Sequence, residues 1–371
     1  MKLLFICHDY FISGANKSLL DLLEDNSNNK ITVIIPKENK VFKSKLEKLG
    51  CNVIVFRHIL CIKSLRKGLL TTIKNMVRKI YFYLFFKFRV SVICKKLDKD
   101  FDFIISNSFS EIFGYYISQK LSIPHVFYIR EFMEDDHKIS HIDKNIGKIC
   151  SDSYAIFISK SIETFYLSKY KFIKYFQIYD KIKNDSIKLS NKKNDVFSIC
   201  IVGSLIEGKG HSDIIYAINE LRKRDLNVIL HIAGEGPLNS KLRQIVKELN
   251  LFNVTFCGHI SNIFNFISEH DLLISCSYKE ALGRVMVEAM YSKIGVIGTR
   301  SGEAPILLDS GRGFLYNSGD YNELATLISD VMTNKVEFDL EKSYEYAIEN
   351  FSGNKLNKIV NKLKEWENAC D

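Results

Sequence analysis

Short apolar runs alternate with helix-period patterns over nearly the whole chain, and this alternation restricts its fold more than any other feature. Strands buried on both faces read as such runs, and joining them in parallel requires helical crossovers. In the first half the strand candidates are Lys2–Cys7, Ile31–Ile35, Asn52–Phe56, Phe103–Ser106, His125–Tyr128 and Ala155–Ile158. Between the first two, Asn16–Leu23 sets Leu19, Leu20, Leu22 and Leu23 on one helical stripe. The rhythm breaks at Lys181–Asp195, which is rich in Lys, Asn, Asp and Ser and reads as a linker. It resumes with strands at Phe197–Val202, Val228–Ala233, Val254–Cys257, Leu272–Ser275 and Gly295–Gly298, and helices at 211–224, 238–249, 261–268, 284–292 and 320–333.

The pattern predicts an α/β chain of two doubly wound domains facing a central cleft. The first spans 1–180, a linker 181–196, the second 197–340, and a helical segment 341–371 follows. Leu340–Trp366 reads as one or two helices whose packing partner the pattern does not reveal. In doubly wound sheets ligands sit beyond the carboxyl ends of the strands, so chemistry is sought just after each strand.

A length of 371 residues suits two domains at about 150 each. Hydrophobic residues at 46% and charged residues at 26% exclude a mainly disordered or fibrous chain. Ile80–Phe86 is the longest strongly apolar run, far short of the ~20 residues that span a bilayer. Met1–Cys7 is followed at once by His8, Asp9 and Tyr10, so it reads as a first strand rather than a leader, and a cytoplasmic protein is expected. The cysteines number nine and show no C-x-x-C pair, which points to reduced thiols packed as small hydrophobes.

Two turns carry most of the chemistry. Glu280-Ala281-Leu282-Gly283-Arg284 follows the strand Leu272–Ser275 and opens a helix, with Glu288 about one turn in. Amides at such a helix start point toward an anion, and carboxylates on either side accept hydrogen bonds from sugar hydroxyls, so the pattern suits a nucleotide-sugar. A capped amphipathic helix with solvated glutamates is the competing reading. The second turn, Val202-Gly203-Ser204-Leu205-Ile206-Glu207-Gly208-Lys209-Gly210-His211, also joins a strand to a helix, and Lys209 can reach a phosphate as a point charge. Gly234-Glu235-Gly236-Pro237, Gly258-His259-Ile260 and Ser13-Gly14-Ala15 are weaker signals, since tight turns commonly look like this.

Taken in order, these motifs resemble the nucleotide-sugar-binding domain of retaining glycosyltransferases of family 4. The shared features are the Gly-Ser-x-x-x-x-Lys-Gly turn, Ala233-Gly234-Glu235-Gly236-Pro237, Phe256-Cys257-Gly258, the two glutamates, and Gly313-Phe314-Leu315-Tyr316, over about residues 197–333. The first half is similar more loosely, through Gly14, Asn107 and Pro124-His125-Val126 before Arg130-Glu131-Phe132. The resemblance implies the GT-B fold, with two Rossmann-like domains. It implies that Glu280 binds the transferred sugar and Glu288 the ribose. Lys209 would hold the diphosphate with amides near Leu282 and Gly283, while Gly203, Ser204 and Gly234 line the donor site. Gly14 would leave room for the phosphates, and the backbone of Gly258, His259 and Ile260 would hold the base.

The sequence departs from the family pattern in three places. Ser204 stands where an arginine usually partners Lys209, and Arg284 is the candidate replacement. Arg130 falls where many members have a histidine near the reacting sugar, and is taken as a catalytic candidate with Glu280 and Lys209; a structural ion pair is its alternative. Ser301-Gly302-Glu303-Ala304-Pro305 replaces a Gly-Gly-Thr-x-Glu pattern.

The implied reaction is transfer of a sugar from a nucleotide-diphosphate sugar to a glycan or polyprenyl-linked acceptor, for capsule- or O-antigen-type polysaccharide, with no metal and no other cofactor. Asp100-Phe101-Asp102 precedes a strand and reads as a turn, not a metal motif. A sugar-nucleotide epimerase on the same plan and a membrane-bound scaffold without turnover are the alternatives; a glycogen-type phosphorylase needs a longer chain.

The formal charge of +9 is uneven, with twelve Lys or Arg and one acidic residue between Arg57 and Lys99. Basic residues around Ile80–Phe86 suit an anionic membrane surface better than nucleic acid, and predict peripheral attachment to the inner leaflet. A buried helix with a solvated basic face is the alternative.

Overall fold

The computed structural model describes residues 1–12, 14–183 and 196–368, apart from the side chains of Asp136 and His137. Most of the expected linker, at 184–195, therefore lies outside the described residues, as do Ser13 and Cys370. The chain divides into two compact units, Met1–Lys181 with Gly353–Asp371, and Ile182–Ser352.

Strands of the first unit are β1 (Lys2–Ile6), β2 (Lys30–Ile35), β3 (Asn52–Val55), β4 (Ile62–Ser64), β5 (Phe103–Ser106), β6 (His125–Ile129), β7 (Ile139–His141), β8 (Tyr154–Phe157) and β9 (Tyr175–Gln177). Seven form one parallel sheet in the order β3-β2-β1-β5-β6-β8-β9, while β4 and β7 make a separate antiparallel pair. The second unit holds β10 (Phe197–Val202), β11 (Val228–Ala233), β12 (Val254–Gly258), β13 (Leu272–Ser275), β14 (Gly295–Thr299) and β15 (Phe314–Tyr316), a parallel sheet in the order β12-β11-β10-β13-β14-β15.

Central strands are dry on both faces. Leu3, Leu4, Phe5 and Ile6 are 0% exposed, and in the second sheet Ile199, Cys200, Leu230 and Leu272 match them. The strand order reverses direction between β1 and β5, and again between β10 and β13, and in doubly wound sheets ligands collect at the carboxyl edge of such a switch point.

Helix starts follow their caps. The helices Ile263–Ser268 and Tyr321–Met332 begin one or two residues later than the periodicity suggests, because Asn262 and Asp320 accept the amides of Asn265 and Glu323 as cap residues. The C-terminal segment forms two helices with different destinations. Leu340–Phe351 packs in the second unit, where Tyr291 donates its hydroxyl to Ala347 O at 3.2 Å. Lys355–Glu367 belongs to the first unit, and Trp366 stacks on Tyr154 with ring centroids 4.7 Å apart.

Asp100-Phe101-Asp102 ends at the amino end of β5, where Asp102 Oδ2 accepts the Lys2 amide at 2.7 Å and Asp100 pairs with the Lys2 ammonium. The eight described cysteines carry free thiols, and all but Cys257 are buried.

At the base of the first sheet His125 is buried, with Nε2 3.0 Å from Ser106 Oγ and Nδ1 2.8 Å from Ser153 Oγ. Burial pushes its pKa down to about 3. The unfolded chain takes up this proton near pH 6.5, so the contribution is intact above that pH and is lost as the pH falls toward 3. Urea midpoints measured between pH 7 and pH 4 are expected to show a loss on the order of 1 kcal/mol per pH unit from this group. His125→Gln should show a shallower slope, and an unchanged slope would contradict the assignment.

Candidate active site

The two strands flanking the reversal in the second sheet, β10 and β13, deliver the two turns singled out in the sequence. After β10 the chain runs through Gly203 and Ser204 to a short 3₁₀ turn at Glu207–Lys209, then enters the helix His211–Lys223. After β13 it runs through Ser277 and Glu280 to the helix Arg284–Tyr291, whose cap is Gly283. Lys209 Nζ donates to Glu280 Oε2 at 2.8 Å. The side chains are 34% and 19% exposed, and pairs this wet contribute only about 0–1 kcal/mol to stability. The pair therefore does little for the fold, and its effect is to hold a cation and a carboxylate at the carboxyl edge.

Backbone bonds stitch these loops sideways. Tyr278 N donates to Gly208 O at 3.0 Å, Leu205 N to Glu235 O at 2.9 Å, and Gly234 N to Gly258 O at 2.7 Å. Gly234, at φ +140°, lies so close that a Cβ there would come 1.9 Å from Gly203 O. The altered loop after β14 joins them, for Glu303 N donates to Glu280 O at 2.9 Å. Gly302 sits at φ +59°, and a Cβ there would come 2.2 Å from Glu280 O. Ser301–Pro305 thus acts as a backbone support for Glu280.

The remaining sequence candidates fall around this edge. Glu288 is buried at 4% exposure one turn into its helix, Leu282 is buried, and Arg284 is half-buried on the first turn. The amides of that first turn lack intrahelical acceptors, which makes it a place for an anion. Ser204 and His259 are exposed on their loops, with Gly258 and Ile260 half-buried.

In the first unit, Gly14 opens the helix Gly14–Leu23, with nothing within 4 Å of where its Cβ would be. Arg130, expected to act on substrate, forms a buried ion pair with Asp180, both side chains 3% exposed. Its Nε also donates to Asn107 Oδ1 at 3.1 Å, and its guanidinium lies 3.8 Å from the Tyr128 ring centroid, while Tyr128 donates its hydroxyl to Asp180 at 2.9 Å. Asn107 reaches on to Asn16 Oδ1 at 3.4 Å. The ion pair that stood as the alternative for Arg130 is thus present, and it fixes the loops after β1, β5 and β6, while Nη2 stays buried without a partner among the described residues. Sequence spacing carries no signal for a partner fifty residues away. In the β10 turn His211 is buried at 2% exposure, and its place among glycines in the sequence gives no sign of this.

The basic segment forms the long helix Leu69–Cys94, buried only at Phe86, Val90, Ile93 and Cys94. Leu69, Leu70, Ile73, Met76, Val77, Ile80, Leu84 and Phe88 are exposed, Leu69 at 78% and Leu84 at 67%. This differs from a buried helix with a basic face, because the apolar side is what is uncovered. Among the described residues no helix is long and apolar enough to cross a membrane.

Residues 182–351 match the family model described as Glycosyl transferases group 1. A poly(ribitol-phosphate) alpha-N-acetylglucosaminyltransferase of Staphylococcus aureus is 29% identical over 163 residues, 42% of this chain and 32% of that protein. A Campylobacter jejuni N-acetylgalactosamine-N,N'-diacetylbacillosaminyl-diphospho-undecaprenol 4-alpha-N-acetylgalactosaminyltransferase is 30% identical over 139 residues, 36% and 37% of the two chains. The chain thus covers about a third of the length of these curated relatives. The crystal structure of Anabaena Alr3699/HepE in complex with UDP is similar over 98% of this chain and 100% of that one, with a TM-score of 0.76 at 20% identity. The group 1 model thus spans nearly the whole of the second unit, and the whole chain has the GT-B fold of two doubly wound α/β units.

Because the close approach at Gly302 sets the Glu280 backbone, Gly302→Ala is expected to cost about 1–3 kcal/mol. A urea midpoint equal to that of the parent chain would show that the approach is not tight.

Proposed function

We propose that this chain is a retaining glycosyltransferase that moves a sugar from a nucleoside-diphosphate sugar to a glycan or lipid-linked glycan acceptor in bacterial surface-polysaccharide assembly. The observation that carries this reading is the Lys209–Glu280 pair at 2.8 Å, brought together from the two strands that flank the sheet reversal and set before a helix start. The relatives that act on ribitol phosphate polymer and on a diphospho-undecaprenol-linked sugar support the acceptor class, and the UDP bound by HepE supports the donor class.

In this reading Glu280 accepts hydrogen bonds from the transferred sugar and Glu288 from the ribose. Gly258, His259 and Ile260 hold the base through their backbone, and Gly14 leaves room for phosphate. As the bond from the anomeric carbon to the diphosphate breaks, positive charge grows on the sugar and negative charge on the leaving group. Lys209 and the amides near Leu282, Gly283 and Arg284 stabilise that leaving group, and no metal is assigned a role. The acceptor hydroxyl attacks from the same face, and its proton passes to the departing phosphate oxygen, so no protein base is named. Arg130 keeps the loops of the first unit in register.

Transfer is expected from at least one member of a panel of labelled nucleotide-sugars, with lipid extracts as acceptors and mass spectrometry as readout, and to persist in EDTA. Lys209→Ala and Glu280→Ala should each lower turnover roughly 10²–10³-fold with circular dichroism unchanged. Parent-like transfer by either variant would overturn the site. A second reading, a nucleotide-sugar-binding scaffold without turnover, rests on the exposed Ser204, and binding without transfer across the panel would favour it.

We also propose that the helix Leu69–Cys94 holds the protein peripherally at the inner face of the cell membrane. Its exposed apolar stripe is interleaved with Lys74, Arg78, Lys79 and Lys87, a match to an anionic bilayer surface. Flotation with vesicles containing anionic lipid should carry the chain upward, and Leu69→Ser/Leu70→Ser/Leu84→Ser should abolish it. No flotation of the parent chain at moderate salt would remove this claim.

A further inference from the structure

Five histidines of the described residues are buried: His58, His125, His141, His211 and His270. Four have a ring nitrogen in a hydrogen bond, to Phe56 O and Glu111, to Ser106 and Ser153, to Phe109 O, and to Phe266 O and His231. His211 differs, for neither Nδ1 nor Nε2 has a partner among the described residues, and the residue is 2% exposed. A buried polar group left unmade costs about 1–3 kcal/mol, so one that persists calls for a partner from outside the chain, a water or a ligand.

Its surroundings say which kind. His211 is the first residue of the thirteen-residue helix His211–Lys223, directly after the Gly210 cap. At Gly203 an added Cβ would lie 4.0 Å from His211 Cε1 and 4.0 Å from Lys209 Cδ. A gap of about methyl size beside Gly203 thus touches both the stem of Lys209 and the imidazole, at a helix start where unpaired amides favour an anion. Burial, and then the Lys209 charge, push the His211 pKa down to about 4, so the ring is neutral at physiological pH and does not repel Lys209. A neutral imidazole always carries one N–H to donate.

We infer that His211 is a second, uncharged hydrogen-bond donor to the diphosphate of the bound nucleotide, beside Lys209. It supplies a donor on a turn where Ser204 is short and exposed. This inference rests on reading the turn as a diphosphate site, and the test separates the two.

The purified full chain is titrated with UDP, GDP and ADP, and the imidazole nitrogens are followed by NMR with the best of the three. The His211 nitrogen signals should shift on saturation. His211→Leu should weaken binding of that diphosphate roughly 10- to 100-fold, while its ligand-free melting temperature holds or rises because the unmet polar group is gone. His211→Gln, which keeps a donor, should recover part of the affinity. Unmoved imidazole signals at saturation, or parent-like affinity in His211→Leu, would overturn the inference while leaving the diphosphate reading intact. No binding of any of the three by the parent chain would overturn both.

Discussion

A reversal of strand order within an all-parallel sheet is the constraint on which the rest of the second unit depends. Because every strand from β10 to β15 runs the same way, all of the following loops emerge on one edge. Because the order turns around between β10 and β13, the loops after those two strands meet at the switch point of the sheet, where doubly wound folds take their ligands. Lys209 comes from one side and Glu280 from the other, 71 positions apart in sequence. Backbone bonds between neighbouring loops then fix that edge before any ligand arrives, which is the condition under which polar groups stabilise developing charge without reorganising.

Stability and the proposed chemistry fall on different residues. The cores of both units are apolar and closely enclosed, with Ile201, Ile214, Ile218, Leu230 and Ile274 forming part of the second. The Lys209–Glu280 contact is half-wet and contributes little to folding. In the first unit the polar group that matters to the fold is the opposite kind: Arg130 and Asp180 are dry, and removing either would strand the other's charge. A residue's place near the carboxyl edge therefore does not by itself say whether it meets substrate.

Much of this was readable from the chain. Every strand placed by apolar runs is present, because central parallel strands must be apolar on both faces and so announce themselves. What escaped were β4, β7, β9 and β15, each three residues long; β4 and β7 pair with one another across most of a domain, and no local pattern encodes that. The Gly-rich turns were legible as turns, and their joining is a tertiary fact that periodicity does not contain. The partners of Arg130 were illegible for the same reason: nothing near it in sequence announces Asp180 or the ring of Tyr128. The exposed side of Leu69–Cys94 was half legible, since its charges were plain while the direction of its apolar side depended on where Phe86 found Phe113 and Tyr116.

The helix Lys355–Glu367 returns to the unit that the chain began, and buries Leu356, Ile359 and Leu363 there. That return has a consequence for biogenesis. The early unit is discontinuous, so a nascent chain leaving the ribosome holds an unfinished apolar seam around Tyr154 while the whole of Ile182–Ser352 is still being made. At ~5–20 residues per second that wait is roughly 10–30 s, long enough for the later unit to fold first. The unit whose synthesis starts first is thus the one completed last.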